Sequence, residues 1–106
     1  MAPRRTIIDP AVLRDAADHA VGALKLLANE DRLLLLCQLS RGEMCVSDLE
    51  EALDIHQPTL SQQLGILRAE GVVETRRDGK RIIYSLADPK LVQLIALLYR
   101  LYCTGE

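Results

Sequence analysis

The sequence predicts a mainly α-helical domain that carries one small β-hairpin, in the order of four helices, a hairpin and a last helix. Apolar residues recur at helical spacing in four segments before position 71, and again after Asp88-Pro89. From Val72 the pattern changes to that of two short strands, separated by a turn signal at Arg77–Lys80. The 106 residues fit a single domain spanning 1–106.

The first two helices have clear start signals. Asp9 is suited to the N-cap position with Pro10 at the first helical position, and Asn29 is suited to cap the second helix. The second helix is apolar on nearly every side over Leu33–Leu39. A helix of this kind must be covered by several neighbours, so we expect it at the centre of the domain.

The third and fourth helices are short and lie close together. A capping box from Ser47 to Glu50 predicts the start of helix three. Pro58 predicts the first position of helix four, which should run to about Glu70 before Gly71. Two short helices, a tight turn and a following hairpin together describe a winged helix-turn-helix. The alternative is a small α+β domain with no role in DNA binding.

This architecture assigns a region to each part of the chain. The last helix is apolar on almost every side, and one small domain cannot cover all of that surface. We therefore expect a second subunit to cover the remainder, which makes the protein a homodimer. The expected regions are the helix-turn-helix at about 47–70, the wing at about 72–86, and dimerisation helices at about 9–28 and 88–103.

Composition narrows the class of protein. A formal net charge of −2 argues against a basic coat for nucleic acid, yet allows a local basic face. No apolar run is long enough to span a bilayer, and no signal-peptide core follows the basic start. We expect a cytoplasmic protein with reduced cysteines, no cofactor and no enzymatic activity, because no phosphate loop, nucleophile–base pair or metal-hydrolase motif is visible.

Helix four has a polar face without carboxylates. Amide and hydroxyl side chains suit a helix in the major groove of double-stranded DNA, whereas an ordinary solvated face usually carries Glu and Lys pairs. The candidate DNA-binding residues of this segment are Gln57, Thr59, Ser61, Gln62, Gln63 and Arg68.

The hairpin carries clustered cations at its tip. Arg77, Lys80 and Arg81, with Arg76 beside them, suit contacts with phosphate groups or the minor groove. Charged residues on an edge strand can instead prevent aggregation. The cluster directly follows the polar helix, which favours the DNA-binding interpretation.

These segments resemble the arsenic-repressor (ArsR/SmtB) family over nearly the whole chain. The matching segments are Leu26–Arg32, Gln57–Leu64, Leu67-Arg68, Glu70–Val73, Arg76–Lys80 and Tyr84–Leu86. The resemblance implies a homodimer, a recognition helix at about Pro58–Arg68, and repression of an operator that an inducer relieves.

Many members of that family sense metals. One family metal site uses a Cys-x-Cys pair where helix three begins, but here Cys45 is followed by Ser47. A second site uses His and acidic residues on the last helix, which has no His. His19 and His56 lie in different elements, so we predict no metal site. A metal-responsive repressor of the same fold remains an alternative.

Cys37 in helix two and Cys103 at the end of the last helix resemble the persulfide-sensing subgroup, the BigR- and SqrR-like repressors. The resemblance implies that reactive sulfur species join the pair by a polysulfide or disulfide bridge, and that DNA is then released. Taken alone, Cys37 would be a small buried hydrophobe and Cys103 an inert terminal thiol. Neither lies at a helix N-terminus that would activate it. A general redox-responsive repressor is a further alternative, and Cys45 has no assigned partner.

Overall fold

A computed structural model describes residues 5–103, so the ends of the expected domain, 1–4 and 104–106, lie outside the described residues. The described chain forms five helices and three strands, and its helices and hairpin follow one another in the predicted order. They are α1 (Pro10–Leu27), α2 (Glu30–Leu39), β1 (Met44–Cys45), α3 (Val46–Leu53), α4 (Thr59–Ala69), β2 (Val73–Asp78), β3 (Arg81–Leu86) and α5 (Pro89–Tyr102). The predicted winged helix-turn-helix is confirmed. None of these five helices combines the length and apolarity needed to cross a membrane.

Helix α2 lies at the centre of the domain, as its sequence predicts. Leu35 and Leu36 have no exposed surface, and Leu39 is also buried. The helix contacts α1, α3, α4, α5 and β3. The Asn29 side chain accepts a hydrogen bond from the backbone nitrogen of Arg32 and so caps the helix as expected. Burial of each such leucine stabilises the fold by roughly 1.5–3 kcal/mol.

The hairpin forms one antiparallel sheet with a strand that the sequence did not reveal. The strand order is β1-β3-β2, with Met44 opposite Tyr84 and Arg77 opposite Ile82. Gly79 has a φ of 63° in the turn, as the hairpin signal predicts. Strand β1 has only two residues, too few to show the alternation that identifies a strand.

Two helix starts differ from their predictions. Helix α3 begins at Val46 with Cys45 as its N-cap, and no side chain caps it, so the predicted capping box at Ser47 is wrong. Strand β1 leads straight into the helix, which places Ser47 inside the first turn. Pro58 is the N-cap of α4, and Thr59 is its first residue. The predicted cap at Asp88 is confirmed.

Helix α1 projects from the domain. The Cα radius of gyration is 16.7 Å, whereas a compact domain of this length has about 13 Å. Within α1 only Leu26 and Leu27 are buried. Val12 and Leu24 are more than half exposed, and so is Leu101 on α5. These two helices therefore carry an uncovered apolar surface.

The central position of α2 predicts how its leucines differ in importance. Leu36→Ala should lower the free energy of unfolding by about 2–5 kcal/mol, because the deletion leaves a cavity beneath four helices. Leu34→Ala, on the same helix but 37% exposed, should cost much less. Urea denaturation at one fixed protein concentration measures both. Equal losses in the two variants would contradict the assigned core.

Candidate nucleic-acid interface

Helix α4 is fixed to the core on one side and exposed on the other. Leu60, Leu64 and Leu67 are buried at helical spacing and hold the helix against the domain. On the opposite side Ser61 and Gln62 are exposed. Thr59 is half-buried, while Gln57 before the helix and Arg68 in its last turn are both exposed. Most of the predicted DNA-binding residues of this segment therefore face solvent.

The first turn of α4 is held by a side-chain contact that was not predicted from the sequence. The Oε1 atom of Gln57 accepts hydrogen bonds from the Ser61 backbone nitrogen at 3.1 Å and from the Ser61 hydroxyl at 2.6 Å. The amide oxygen thus satisfies a backbone N–H that lacks a partner within the helix. The four-residue spacing of Gln57 and Ser61 around Pro58 is the signal that could have revealed this contact.

Gln63 differs from the other polar residues of α4 because it faces α2. It is half-buried, and its Oε1 atom accepts a hydrogen bond of 3.2 Å from Nη1 of Arg32. The same guanidinium donates from Nε to the carbonyl of Leu26 at 2.8 Å and from Nη2 to that of Lys25 at 3.2 Å. Arg32 therefore joins the end of α1 to α2 and α4, and it restrains Gln63.

The wing presents fewer free cations than its sequence suggests. Arg76 donates two hydrogen bonds to the carboxylate of Glu43, one of them 3.3 Å long from Nε to Oε2. These bonds raise the pKa of Arg76 and lower the pKa of Glu43. Each group stabilises the charged form of the other, so both stay ionised. The negative charge of Glu43 then offsets the positive charge of Arg76.

The other wing cations remain available. Arg77, Lys80 and Arg81 are all exposed, and none forms an ion pair with another residue of the described range 5–103. They lie on both sides of the Gly79 turn, at the end of the hairpin. These three residues of the predicted phosphate-binding cluster are therefore exposed and not neutralised by an ion pair within the described range.

The three cysteines occupy different environments. Cys45 is buried, Cys37 is half-buried against the core, and Cys103 is exposed at the C-cap of α5. Burial raises the pKa of Cys37, and the negative charge of the Cys103 thiolate raises it further. Cys37 on α2 and Cys103 at the end of α5 therefore belong to two helices that contact one another within one subunit.

Helices α2 and α5, which carry or precede the two thiols, contact one another. The guanidinium of Arg41, just after α2, lies 4.8 Å from the centroid of the Tyr99 ring on α5. Tyr99 is one turn before Cys103. The backbone nitrogen of Cys103 donates a hydrogen bond of 2.8 Å to the carbonyl oxygen of Tyr99. The segment that follows α2 is therefore in contact with the last turns of α5.

The candidate metal ligands remain dispersed. The Cys45 sulfur lies 3.3 Å from the hydroxyl oxygen of Ser47. His19 contacts Asp15, whereas His56 contacts Asp54 at 2.8 Å. In the part of the chain that the structure describes, no cluster of three or more His, Cys, Asp or Glu side chains could hold a metal ion.

A polar helix held by a buried leucine row, followed by a basic hairpin, defines a winged helix-turn-helix DNA-binding protein. Residues 29–75 match the pattern of the bacterial regulatory proteins of the arsR family. The biofilm growth-associated repressor of Agrobacterium fabrum is 50% identical over 97 residues, which are 92% of this chain and 82% of that protein. The chain belongs to the arsR family, and within it to the BigR-like subgroup.

A solved structure and a further relative agree with this membership. The crystal structure of the transcriptional repressor BigR from Xylella fastidiosa matches with a TM-score of 0.83 and 44% identity, covering 91% of this chain and 98% of that one. The transcriptional activator HlyU of Vibrio cholerae is 43% identical over 82% of this chain and 81% of that protein. The relatives are transcriptional regulators, and this chain is a DNA-binding transcriptional repressor of the BigR type.

The wing geometry predicts different roles for neighbouring arginines. Arg81→Ala should weaken binding to operator and random DNA alike, and it should lower the salt slope of log K by about 0.9, the value of one phosphate contact. The matched control is the double variant Glu43→Gln with Arg76→Gln, which removes a self-neutralised pair and should leave the slope unchanged. Fluorescence anisotropy across a salt series measures both. An unchanged slope in Arg81→Ala would remove this residue from the interface.

Proposed function

We propose that the chain is a cytoplasmic homodimer that represses transcription until reactive sulfur species bridge Cys37 and Cys103. In the repressing state α4 occupies the major groove of double-stranded operator DNA, and Arg77, Lys80 and Arg81 contact its phosphates. The observation that carries the switch is the packing of α2 against α5, which places Cys37 and Cys103 on two contacting helices of one subunit.

The uncovered apolar surface supports the dimer. Helices α1 and α5 expose Val12, Val21, Leu24, Leu97 and Leu101. A second copy that covers this surface by two-fold symmetry buries the same residues of both subunits. The two recognition helices would then lie roughly 34 Å apart, one turn of DNA, so the operator should be an imperfect palindrome. In this arrangement residues of about 9–28 and 88–103 form the dimerisation helices, while 47–70 and 72–86 face DNA.

The difference in burial suggests the order of the thiol reactions. Cys103 is exposed, whereas burial and charge raise the pKa of Cys37. The Cys103 thiolate attacks the terminal sulfur of a persulfide R–S–SH, the S–S bond breaks, and R–SH leaves once it takes a proton. A second transfer by the same route extends the group on Cys103 to –S–S–SH.

Cys37 completes the bridge in a second stage. Its thiolate attacks the middle sulfur of this group, and HS⁻ leaves, which gives Cys37–S–S–S–Cys103. Attack after only one transfer, at the Cys103 sulfur, also expels HS⁻ and gives a disulfide. In both cases the persulfide is the oxidant, and its sulfur is reduced to thiol and sulfide.

A bridge between α2 and α5 would alter the shape of the dimer. Helix α5 carries part of the uncovered apolar surface, and α2 contacts the recognition helix α4. The bridged subunit should therefore favour a dimer whose two recognition helices are wrongly spaced for the operator. The covalent bond stabilises this arrangement relative to the DNA-binding one.

Single cysteine replacements test the switch. Cys37→Ser and Cys103→Ser should bind the operator as the wild type does but retain it after persulfide treatment, since neither can form the bridge. Cys45→Ala is the control and should release DNA normally, because Cys45 is buried at the start of α3, a different helix from those that carry the other two cysteines. Anisotropy follows release, and intact-mass spectrometry detects the loss of two hydrogens with any added sulfur. Release by both single variants would eliminate the dithiol mechanism.

The raised pKa of Cys37 predicts how the two stages depend on pH. At neutral pH Cys37 is protonated, so its attack should accelerate about tenfold per pH unit until the pH passes its raised pKa. In Cys37→Ser the persulfide should accumulate on Cys103. In Cys103→Ser the remaining Cys37 should be modified slowly, at a rate that shows this steep pH dependence. Mass spectrometry of quenched samples separates the stages. Faster modification of Cys37 than of Cys103 at neutral pH would reverse the proposed order.

A further inference from the structure

Gln57 and Ser61 form a pair in which each side chain fixes the hydrogen-bonding capacity of the other. The Gln57 oxygen accepts two hydrogen bonds from Ser61, which occupies both of its lone pairs. The Ser61 hydroxyl donates its only hydrogen to that oxygen at 2.6 Å. Both side chains are exposed at the start of α4.

The pair therefore presents a defined pattern to solvent. The Gln57 amide nitrogen keeps its hydrogens, and it has no hydrogen bond to any residue within 5–103, so it can act only as a donor. The Ser61 oxygen has used its hydrogen and can act only as an acceptor. A glutamine or serine alone could present either function, but this pair presents one donor beside one acceptor.

We propose that Gln57 and Ser61 together read a single adenine in the major groove. Adenine offers an acceptor at N7 beside a donor at its N6 amino group, which complements the pair. Gln57 would donate to N7, and Ser61 would accept from N6. The inference rests on DNA binding through α4, as in the proposed function, but it does not require the thiol switch.

The other bases fit this pattern less well. Guanine offers two acceptors, N7 and O6, so the Ser61 hydroxyl would have to break its bond to Gln57 in order to donate. Thymine offers O4, which only Gln57 could bind, and cytosine offers its amino group, which only Ser61 could bind. Adenine alone engages both members of the pair.

The neighbouring glutamines differ in this respect. Gln62 is exposed and has no hydrogen bond to another residue in the described structure, so its amide can turn to suit different bases. Gln63 is directed toward α2 by Arg32. The hydrogen-bonding pattern of the Gln57–Ser61 pair is therefore fixed, whereas that of Gln62 is not, and Gln62 serves as the control for the pair.

Base analogues test the assignment atom by atom. The full-length protein first selects duplexes from a random DNA pool, and each adenine of the bound sequence is then replaced by 7-deazaadenine or by purine. The first analogue lacks the N7 acceptor, and the second lacks the N6 amino group. At one adenine of each half-site, both analogues should weaken wild-type binding about fivefold, the effect of one lost hydrogen bond.

Variants then assign each atom to its partner. In Gln57→Glu, whose carboxylate still accepts from Ser61 but has no donor, the 7-deazaadenine penalty should vanish while the purine penalty persists. In Ser61→Ala the purine penalty should vanish. Gln62→Ala should retain both penalties at that adenine. Ratios of affinities within each variant remove any general weakening, such as repulsion between Glu and phosphates.

Each other outcome overturns the inference. If the penalties at every adenine are the same in Gln57→Glu, Ser61→Ala and the wild type, the pair does not read adenine, although DNA binding stands. A guanine at the position that depends on these two residues would likewise exclude the assigned pattern. If the protein selects no duplex at all, the proposed function fails together with the reading pair.

Discussion

The need to bury most of helix α2 governs the rest of the fold. A helix with leucines around most of its circumference is stable in water only if other elements cover most of its surface, and here four helices and β3 do so, while Leu34 stays partly exposed. The core that results is aliphatic except for Cys45 among the described residues, and it contains Leu35, Leu36, Leu60 and Ile95. Because cores pack at nearly crystalline density, a displacement of α2 must displace several of its neighbours. Cys37 lies on this helix. A chemical change at Cys37 that moves α2 would therefore move several packed elements at once.

Polar contacts at the margin of this core set the orientation of the DNA-binding parts. Arg32 joins carbonyls at the end of α1 to Gln63 on α4, so both helices are hydrogen-bonded to the same guanidinium. Glu43 joins the segment after α2 to strand β2 through Arg76. The leucines determine that the elements pack, and these long-range polar contacts restrict how far each can rotate or slide against the others.

Local signals explain which features the sequence could predict. The caps at Asp9, Asn29 and Asp88 bond to residues two or three positions away, so their neighbours identify them. Gly79 likewise marks its turn. Strand β1 forms only because β3 lies beside it, and this pairing displaced the start of α3 from the predicted Ser47. The Glu43–Arg76 pair spans 33 positions, and no local pattern indicates which acid a wing arginine will meet.

The neutralised Arg76 has a consequence for how the protein is distributed in a cell. A chromosome offers millions of non-operator sites, and they compete through charge alone. The chain has a net charge of −2, and Glu43 neutralises Arg76, one of the four cations of the hairpin. With the wing against phosphates, as proposed above, residence on random sequence would be brief, and more molecules would be free to search. A small copy number could then keep the operator occupied, and a modest loss of operator affinity would be enough to empty it.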